Sequence, residues 1–288
     1  MAGSGQRAAA RGVPLSRPRI EFVQSQRIPW RADVPGLPGP GIEARLLSAD
    51  DETGARSLVV RYPPGYSWPG GALTVDHEFL VLGGALTIGG EPHPAMTYAH
   101  LPAGFDAGAR ASAAGAVVLE FHSGAPALAT QRIAFDERRL VRSRSLYDVP
   151  YTGNFHPEFP PGAGRKLLYQ DPVTHDTSWV LGTMPLRWAE RAEVHPTVEE
   201  MYLLAGEVHG DHGVMRPGAY FWRPPSVPHG PFGTLTGNLY FFRTKGGLLA
   251  TTYVTPARPF RWWPDYDAVL PPELEVARGE VPGIAACW

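Results

Sequence analysis

Cysteine is almost absent from this 288-residue chain, whose single example is Cys287. One thiol cannot build a disulfide framework within a chain, and this composition is typical of a reducing compartment. No apolar run reaches the roughly 18 residues of a membrane-spanning helix. The first residues, MAGSGQRAAARG, carry positive charge without a following apolar segment, unlike a secretory signal. We therefore expect a cytoplasmic protein that does not associate with membranes.

An excess of charge of either sign is also missing. The 26 Lys and Arg residues nearly balance the 28 Asp and Glu residues, for a formal net charge of −2. This balance argues against a general nucleic-acid or anionic-membrane binder. The arginines clustered in residues 138–144 are interpreted as a solvated surface segment. A small molecule is therefore the expected partner, and nucleic acid is not.

Long stretches of helical periodicity are absent as well. The apolar segments are short and rich in β-branched and aromatic residues, as in VVLEF at 117–121 and NLYFF at 238–242. The 33 glycines and 31 prolines punctuate these segments rather than forming a low-complexity tract. Many short strands at close spacing predict an all-β fold of the sandwich or barrel type.

The chain repeats itself once. EFLVLGG at 78–84 is similar to EMYLLAG at 200–206, and further matches before and after it keep the same order. Each unit is longer than a solenoid repeat, so two similar domains are expected. The predicted boundaries are an N-terminal arm over 1–40, a first unit over 41–125, a connector over 126–163, a second unit over 164–250 and a C-terminal tail over 251–288. Residues 19–40 could add a strand to the body.

The second unit spaces its polar residues in a way that suits a metal site. Glu193, His195 and Glu199 share strand parity, so an extended segment points all three side chains to one face. His229 follows a proline-rich turn on another segment. Two imidazoles with one or two carboxylates suit Fe(II), Mn(II), Ni(II) or Zn(II). Glu200, of opposite parity, is the alternative to Glu199 if a bulge shifts the register.

These segments resemble the two motifs of the cupin superfamily. EVHPTVE at 193–199, followed by Gly206, is similar to the first motif, with Glu193 at the place of a histidine. GAYFWRPPSVPH at 218–229 reproduces the second spacing, with Ser226 at the last glycine. The resemblance implies two tandem cupin-type barrels, each a double-stranded β-helix or jelly roll. It implies one divalent metal, held by Glu193, His195, Glu199 and His229.

The first unit has lost most of this pattern. Gly71, Leu73 and Ala107 stand where the second unit has ligands, and only His77 keeps a side chain that can bind metal. We therefore expect a degenerate N-terminal cupin with a structural role. A rearranged site remains the alternative, since other candidate ligands are close in sequence: Asp76, Glu78, His93 and His100. Barrel-edge strands and the tryptophan-rich tail make a homodimer plausible.

The cupin resemblance allows several activities. The leading hypothesis is an O2-using dioxygenase with Fe(II), or otherwise with Zn, Mn or Ni, in which Glu193 is a fourth ligand or a base. Tyr202, Trp222 and Arg243 are candidates for lining the cup and binding substrate. One alternative is a redox-neutral isomerase, cyclase or lyase that uses the metal as a Lewis acid. Another is a ligand-sensing protein without turnover.

Overall fold

A computed structural model describes residues 17–37, 39–153, 161–281 and 288. The strands before residue 150 are β1 Ile20–Gln24, β2 Glu43–Ala49, β3 Arg56–Tyr62, β4 Tyr66–Trp68, β5 His77–Ile88, β6 Glu91–Pro94, β7 Thr97–Leu101, β8 Arg110–Ser112, β9 Ala116–His122 and β10 Val141–Ser145. Those after it are β11 Ala163–Gln170, β12 Thr177–Thr183, β13 Arg187–Trp188, β14 Ala192–Val194, β15 Val198–Gly206, β16 Val208–Gly210, β17 Gly213–Met215, β18 Ala219–Arg223, β19 Gly233–Thr234, β20 Asn238–Lys245 and β21 Thr252–Val254. Short 3-10 helices span Ser25–Arg27, Glu137–Arg139 and Pro272–Ala277.

The predicted predominance of β structure is confirmed. Within the described ranges, no helix has both the length and the apolar character needed to cross a bilayer. Cys287 lies outside the described residues.

Two large curled sheets have the same strand order. The main path of one sheet runs β10-β7-β5-β9-β3-β2, and the other runs β1-β18-β15-β20-β12-β11. Pairing is antiparallel at corresponding places, for example between β3 and β9 and between β12 and β20. The two smaller sheets, β13-β19-β16-β17 and β14-β21, belong to the second half of the chain. The strand order thus follows the internal repeat of the sequence.

Each large sheet is completed by a strand from outside the predicted unit. β1 lies in the N-terminal arm, yet it pairs with β18, with Ile20 opposite Trp222. β10 lies in the connector and pairs with β7, with Val141 opposite His100. β1 and β10 occupy the same edge position in the two strand orders. The unit boundaries 41–125 and 164–250 therefore omit one strand from each sheet.

Three buried apolar clusters follow from the alternation of side chains along these strands. One cluster is enclosed by the first sheet and includes Phe79, and a second is enclosed by the other sheet and includes Leu203. The third lies between the two sheets and includes Leu80 and Tyr202 from neighbouring positions on the same strands. Because these strands are buried on both faces, their sequences appear as continuous apolar runs.

A buried ion network also lies between the sheets. Arg243 donates from Nε to Glu78 Oε2 at 2.8 Å and from Nη1 to Glu200 Oε2. Burial raises the pKa of Glu78, but the charge of Arg243, together with Lys245, His100 and the hydrogen bond from Ser178, outweighs it and brings that pKa to about 2. Against burial, the charge of Arg243 also lowers the pKa of Glu200. One guanidinium therefore bridges two buried carboxylates, one from each sheet, and Arg17 adds a second positive charge 3.6 Å from Glu200.

The hydrogen bonds around these carboxylates repeat across the interface. Each carboxylate accepts from a tyrosine of its own sheet and from a serine of the other: Tyr98 and Ser178 for Glu78, Tyr220 and Ser57 for Glu200. The two serines are paired positions in the sequence repeat. The network therefore ties the two halves of the chain through matched positions.

We predict that Arg243→Met lowers the free energy of unfolding by about 3–5 kcal/mol, because it leaves Glu78 without its ion-pair partner and Glu200 with only Arg17, 3.6 Å away, as a counter-charge. Urea denaturation followed by tryptophan fluorescence measures this. The matched control is Arg258→Met, which removes an exposed pair with Asp267 at 2.8 Å and should cost less than about 1 kcal/mol. Equal losses in the two variants would contradict the prediction.

Candidate metal centre

Two chain segments are held side by side to form the centre. The backbones of Glu193 and His229 bond to each other in both directions, at 2.9 and 3.0 Å. The N–H of Ser226 donates to the carbonyl of His195 at 2.8 Å. β14 carries Glu193, the turn after it carries His195, and β15 carries Glu199. Four candidate ligands thus come from one strand–turn–strand segment and the facing turn.

The backbone conformation of Ser226 shows why the second cupin motif has a glycine at this place. It adopts φ +66°, in the left-handed region that favours glycine. The corresponding residue of the first half is Gly104, with φ +86°, and it donates to the carbonyl of Leu73 at 2.8 Å. The turn geometry is therefore retained in both halves, whether or not ligands are present.

The four side chains converge at spacings equal to or slightly wider than those around a common ion. His195 Nε2 lies 3.7 Å from Glu193 Oε2 and 3.7 Å from Glu199 Oε1. His229 Nε2 lies 3.4 Å from Glu199 Oε2. Atoms bound about 2.1 Å from one ion are spaced about 3.0–3.5 Å from each other. Glu193, His195 and His229 form the set whose ligand atoms all lie within 4.8 Å of one another.

Both imidazoles have their tautomer assigned by a backbone carbonyl. His195 Nδ1 donates to the carbonyl of Ala250 at 3.0 Å, and His229 Nδ1 donates to that of Val227 at 2.9 Å. A carbonyl only accepts, so Nδ1 carries a proton in each ring, and Nε2 has a lone pair when the ring is neutral. His195 Nε2 is buried without a hydrogen-bond partner among the described residues. A metal ion would satisfy this lone pair, so the residues fit a metal centre.

The two carboxyl groups differ electrostatically. Burial, with the charge of Glu199 added, raises the pKa of Glu193. Burial also raises the pKa of Glu199, but His229, His195 and Arg223 outweigh it and hold this pKa below its ordinary value. Burial, reinforced by the charge of Arg223, lowers the pKa of His229 to about 4. At neutral pH His229 is therefore neutral, as a ligand must be.

A cavity of about 70 Å³ opens onto the centre. Glu193, His195, Glu199 and His229 all face it, and Arg187 and Arg223 add positive charge. Most of the remaining wall is apolar and aromatic: Trp179, Met215, Phe221, Phe232, Tyr240 and Phe242. The centre thus lies at the polar end of a small, largely apolar chamber.

Tyr202, Trp222 and Arg243, expected from the sequence to line this cavity, lie instead on the opposite face of the sheet. Trp222 and Arg243 are aligned with Glu200, not with Glu199. Side chains alternate along a strand, so all three point between the two sheets. Glu200, the alternative ligand, points there too and accepts from Arg243.

The first sheet contains a second group that could hold a metal, formed by His77, Glu120 and His122. His77 stands opposite His122 in the register between β5 and β9, and their rings stack at 4.8 Å. The alignment of the two units identified only His77, because β9 carries no cupin-motif position. The alternation of Glu120 and His122 in the sequence shows only that they share one face of β9, and the pairing of β9 with β5 brings them to His77.

Hydrogen bonding distinguishes this group from the first one. Arg110 Nη2 donates to His77 Nδ1 at 3.2 Å, so the ring proton is on Nε2. That nitrogen donates to Glu120 Oε2 at 3.1 Å, and Tyr62 donates to the other oxygen of Glu120. Binding a metal at His77 Nε2 would remove this proton and break the bond to Glu120. The imidazole of His77 is therefore satisfied by protein groups.

The other candidates for a rearranged site are dispersed. Asp76 pairs with Arg139 at 2.6 Å, and Glu78 belongs to the network between the sheets. His93 lies 2.9 Å from each of two backbone carbonyls, and the ring of His100 stacks on Tyr169 at 3.9 Å. The structure does not bring these four residues to one centre.

The sequence profile of DUF4437, a domain of unknown function, matches residues 24–251. The chain belongs to the DUF4437 family. No curated protein matches the chain.

Several solved structures share the fold. A suspected dioxygenase of Nostoc punctiforme is 20% identical, with a TM-score of 0.75 over 84% of this chain and 92% of its own. Protein Ylba of E. coli, from family DUF861, is 13% identical, with a TM-score of 0.58 over 84% and 97%. The oxalate decarboxylase of Lactobacillus farciminis, solved with formate, is 10% identical, with a TM-score of 0.57 over 81% and 88%. These are cupin-fold proteins, so the resemblance noted in the sequence is confirmed at the level of the fold.

We predict that metal binding releases a proton from Glu193. Its carboxyl pKa is raised above 4.5, so without metal it stays partly protonated above that pH, whereas a ligand must be ionised. The apparent affinity for Zn(II) should therefore fall as the pH falls through this raised pKa. Calorimetry of Zn(II) binding in buffers of different ionisation enthalpy counts the protons. Glu193→Gln should lose this release, and an unchanged proton count in that variant would contradict the assignment.

Proposed function

We propose that this chain is a metal-dependent enzyme in which His195, His229, Glu199 and Glu193 hold one divalent ion, and that its activity is that of an O2-using dioxygenase with Fe(II). The single observation that carries the proposal is the pair of imidazoles whose Nδ1 atoms donate to backbone carbonyls while their Nε2 atoms face buried carboxylates. Two histidines and a carboxylate with open positions are the ligand set of many non-haem iron oxygenases.

The metal, when bound, would supply open coordination positions for substrate and O2 and the electrons for oxygen chemistry. The chain's own groups orient and protect the reaction. The carbonyls of Ala250 and Val227 hold the two imidazoles in their liganding tautomer. The largely apolar and aromatic wall would contact the substrate beside the ion. Glu193, as a fourth ligand or as a base beside the ion, would accept a proton from the substrate at a carboxyl oxygen.

The chamber favours a small organic substrate with an apolar part. Its volume of about 70 Å³ and its aromatic walls would take a compact, partly hydrophobic molecule. Arg187 places a positive charge at the wall of the chamber, which suits an oxygen-bearing group on that molecule. The likeness to the suspected dioxygenase of Nostoc punctiforme supports the oxygenase candidate and does not bear on the substrate.

A redox-neutral reaction is the second candidate. Glu193 lies 3.7 Å from the Nε2 atom of His195, so its carboxylate is placed to transfer a proton beside a Lewis-acidic ion. An isomerase, cyclase or lyase would use Glu193 in this way, with Zn, Mn or Ni in the centre. This reaction needs no O2, which separates the two candidates.

The proposal includes two tandem cupin barrels, one built on residues 41–125 with β10 added and one on residues 164–250 with β1 added, the first without a working metal site. In support, the two sheets share a strand order, and His77 is engaged by Arg110 and Glu120. The role of the first barrel would then be to bury the back of the second sheet and to supply Glu78 to the shared ion network.

The first experiment is the metal content of the purified protein by plasma mass spectrometry. We expect about one ion per chain in the parent and none in the His195→Ala/His229→Ala variant. The matched control, His77→Ala/His122→Ala, removes the paired histidines of the first sheet and should keep the ion. Loss of the ion in the control, with retention in the first variant, would move the centre to the first sheet and refute the assignment.

Oxygen uptake tests the reaction. The Fe(II)-loaded protein should consume O2 in an electrode cell only when a small aromatic or α-oxo acid from a screening panel is present. Incubating the protein with the same panel without O2, and analysing the products by mass spectrometry, tests the redox-neutral reaction. Turnover under nitrogen would refute the dioxygenase activity and support the redox-neutral one. Binding of metal and of panel compounds without turnover in either condition would favour a sensing protein.

A further inference from the structure

A buried arginine lies between the metal centre and a second carboxylate behind it. Arg223 Nη1 donates to Glu199 Oε2 at 2.8 Å, and Arg223 Nε lies 2.8 Å from both oxygens of Glu21. Exposure is 3% for Arg223, 1% for Glu21 and 7% for Glu199. The three groups form a line of alternating charge, with Glu199 at the end that faces the imidazoles.

Glu21 reaches this place from outside the second unit. It lies on β1, in the N-terminal arm and before residue 24, where the match to the DUF4437 profile begins. Its backbone N–H donates to the carbonyl of Val269 in the tail at 2.8 Å. β1 also pairs with β18, the strand that ends at Arg223. Two segments that flank the family domain therefore hold Glu21 in position.

The guanidinium of Arg223 has little freedom to move away. Its Cζ lies 3.5 Å from the ring centre of Phe221 and 5.4 Å from that of Phe232. A guanidinium is always charged, so at this position it competes with a cation for Glu199 and repels that cation. Its other carboxylate partner, Glu21, offsets this charge. Arg19 also pairs with Glu21, at 3.2 Å, and its side chain is partly exposed.

We propose that Glu21 is a positioning residue for the metal centre: by pairing with Arg223 it leaves Glu199 able to serve a divalent ion between His195 and His229. The inference rests on the proposed metal centre. Without the charge of Glu21, Glu199 would be the main counter-ion of Arg223 and a weaker metal ligand. The N-terminal arm would then set the affinity of a centre to which it contributes no ligand.

The competing explanation is that the pair between Glu21 and Arg223 only stabilises the fold. Breaking any buried ion pair lowers stability, so stability alone cannot separate the two roles. Metal affinity of the folded protein can separate them. The charge explanation also predicts a dependence on Arg223: once that guanidinium is gone, the charge of Glu21 should no longer be needed for tight binding.

The experiment measures Mn(II) and Zn(II) affinity by competition with a chromophoric chelator, with folding checked by circular dichroism. We expect Glu21→Gln to bind about 10- to 100-fold more weakly than the parent, the range seen when groups behind metal ligands are removed. Arg223→Met should bind at least as tightly as the parent, and the double variant should match Arg223→Met. The control Asp76→Asn breaks the pair with Arg139 in the first half and should leave affinity unchanged.

The outcomes separate the two proposals. If the parent binds metal through His195 and His229 but Glu21→Gln binds equally well, the role of Glu21 is refuted and the centre stands. If the double variant stays as weak as Glu21→Gln, the charge of Arg223 is not the cause and the inference fails. If the parent binds no metal after reconstitution, the proposed function itself fails. If Glu21→Gln does not fold, Arg223→Met decides: weaker binding than the parent overturns the inference.

Discussion

The guanidinium of Arg243 between Glu78 and Glu200 is the interaction on which the arrangement of the two halves depends. Two carboxylates from different sheets are buried together, and such a pair is tolerable only with a cation between them. The tyrosine and serine donors repeat on both sides, so the network has one register in which all its members are satisfied. The apolar layer around the network supplies buried apolar area, while the ion network specifies how the two sheets are aligned.

The ion network also affects the candidate metal centre, because side chains on one strand alternate between the interface and the chamber. Glu200 faces the interface because Glu199, its neighbour on β15, faces the chamber. The same alternation places His77 inside the first sheet beside Glu78 at the interface. A register shift of one residue would exchange these environments, so the alignment of the sheets and the composition of the chamber are linked.

The two histidine–carboxylate groups show how neighbouring polar atoms decide what similar residues can do. At His195 and His229 a carbonyl faces each Nδ1, which leaves Nε2 available to a metal. At His77 an arginine faces Nδ1, which places the proton on Nε2 and directs it to Glu120. Both places contain histidines beside glutamates. The difference is the partner of Nδ1, which is a hydrogen-bond acceptor at His195 and His229 and a donor at His77.

The sequence by itself determined the β class, the internal repeat and the spacing that brings Glu193, His195, Glu199 and His229 together. These depend on local alternation and turn chemistry, as the left-handed Ser226 illustrates. Only the tertiary structure decided that Tyr202, Trp222 and Arg243 face away from the chamber, that β1 and β10 complete the sheets, and that Glu120 and His122 join His77. Those outcomes rest on pairing between distant strands, and no local pattern encodes which partner strand a residue will face.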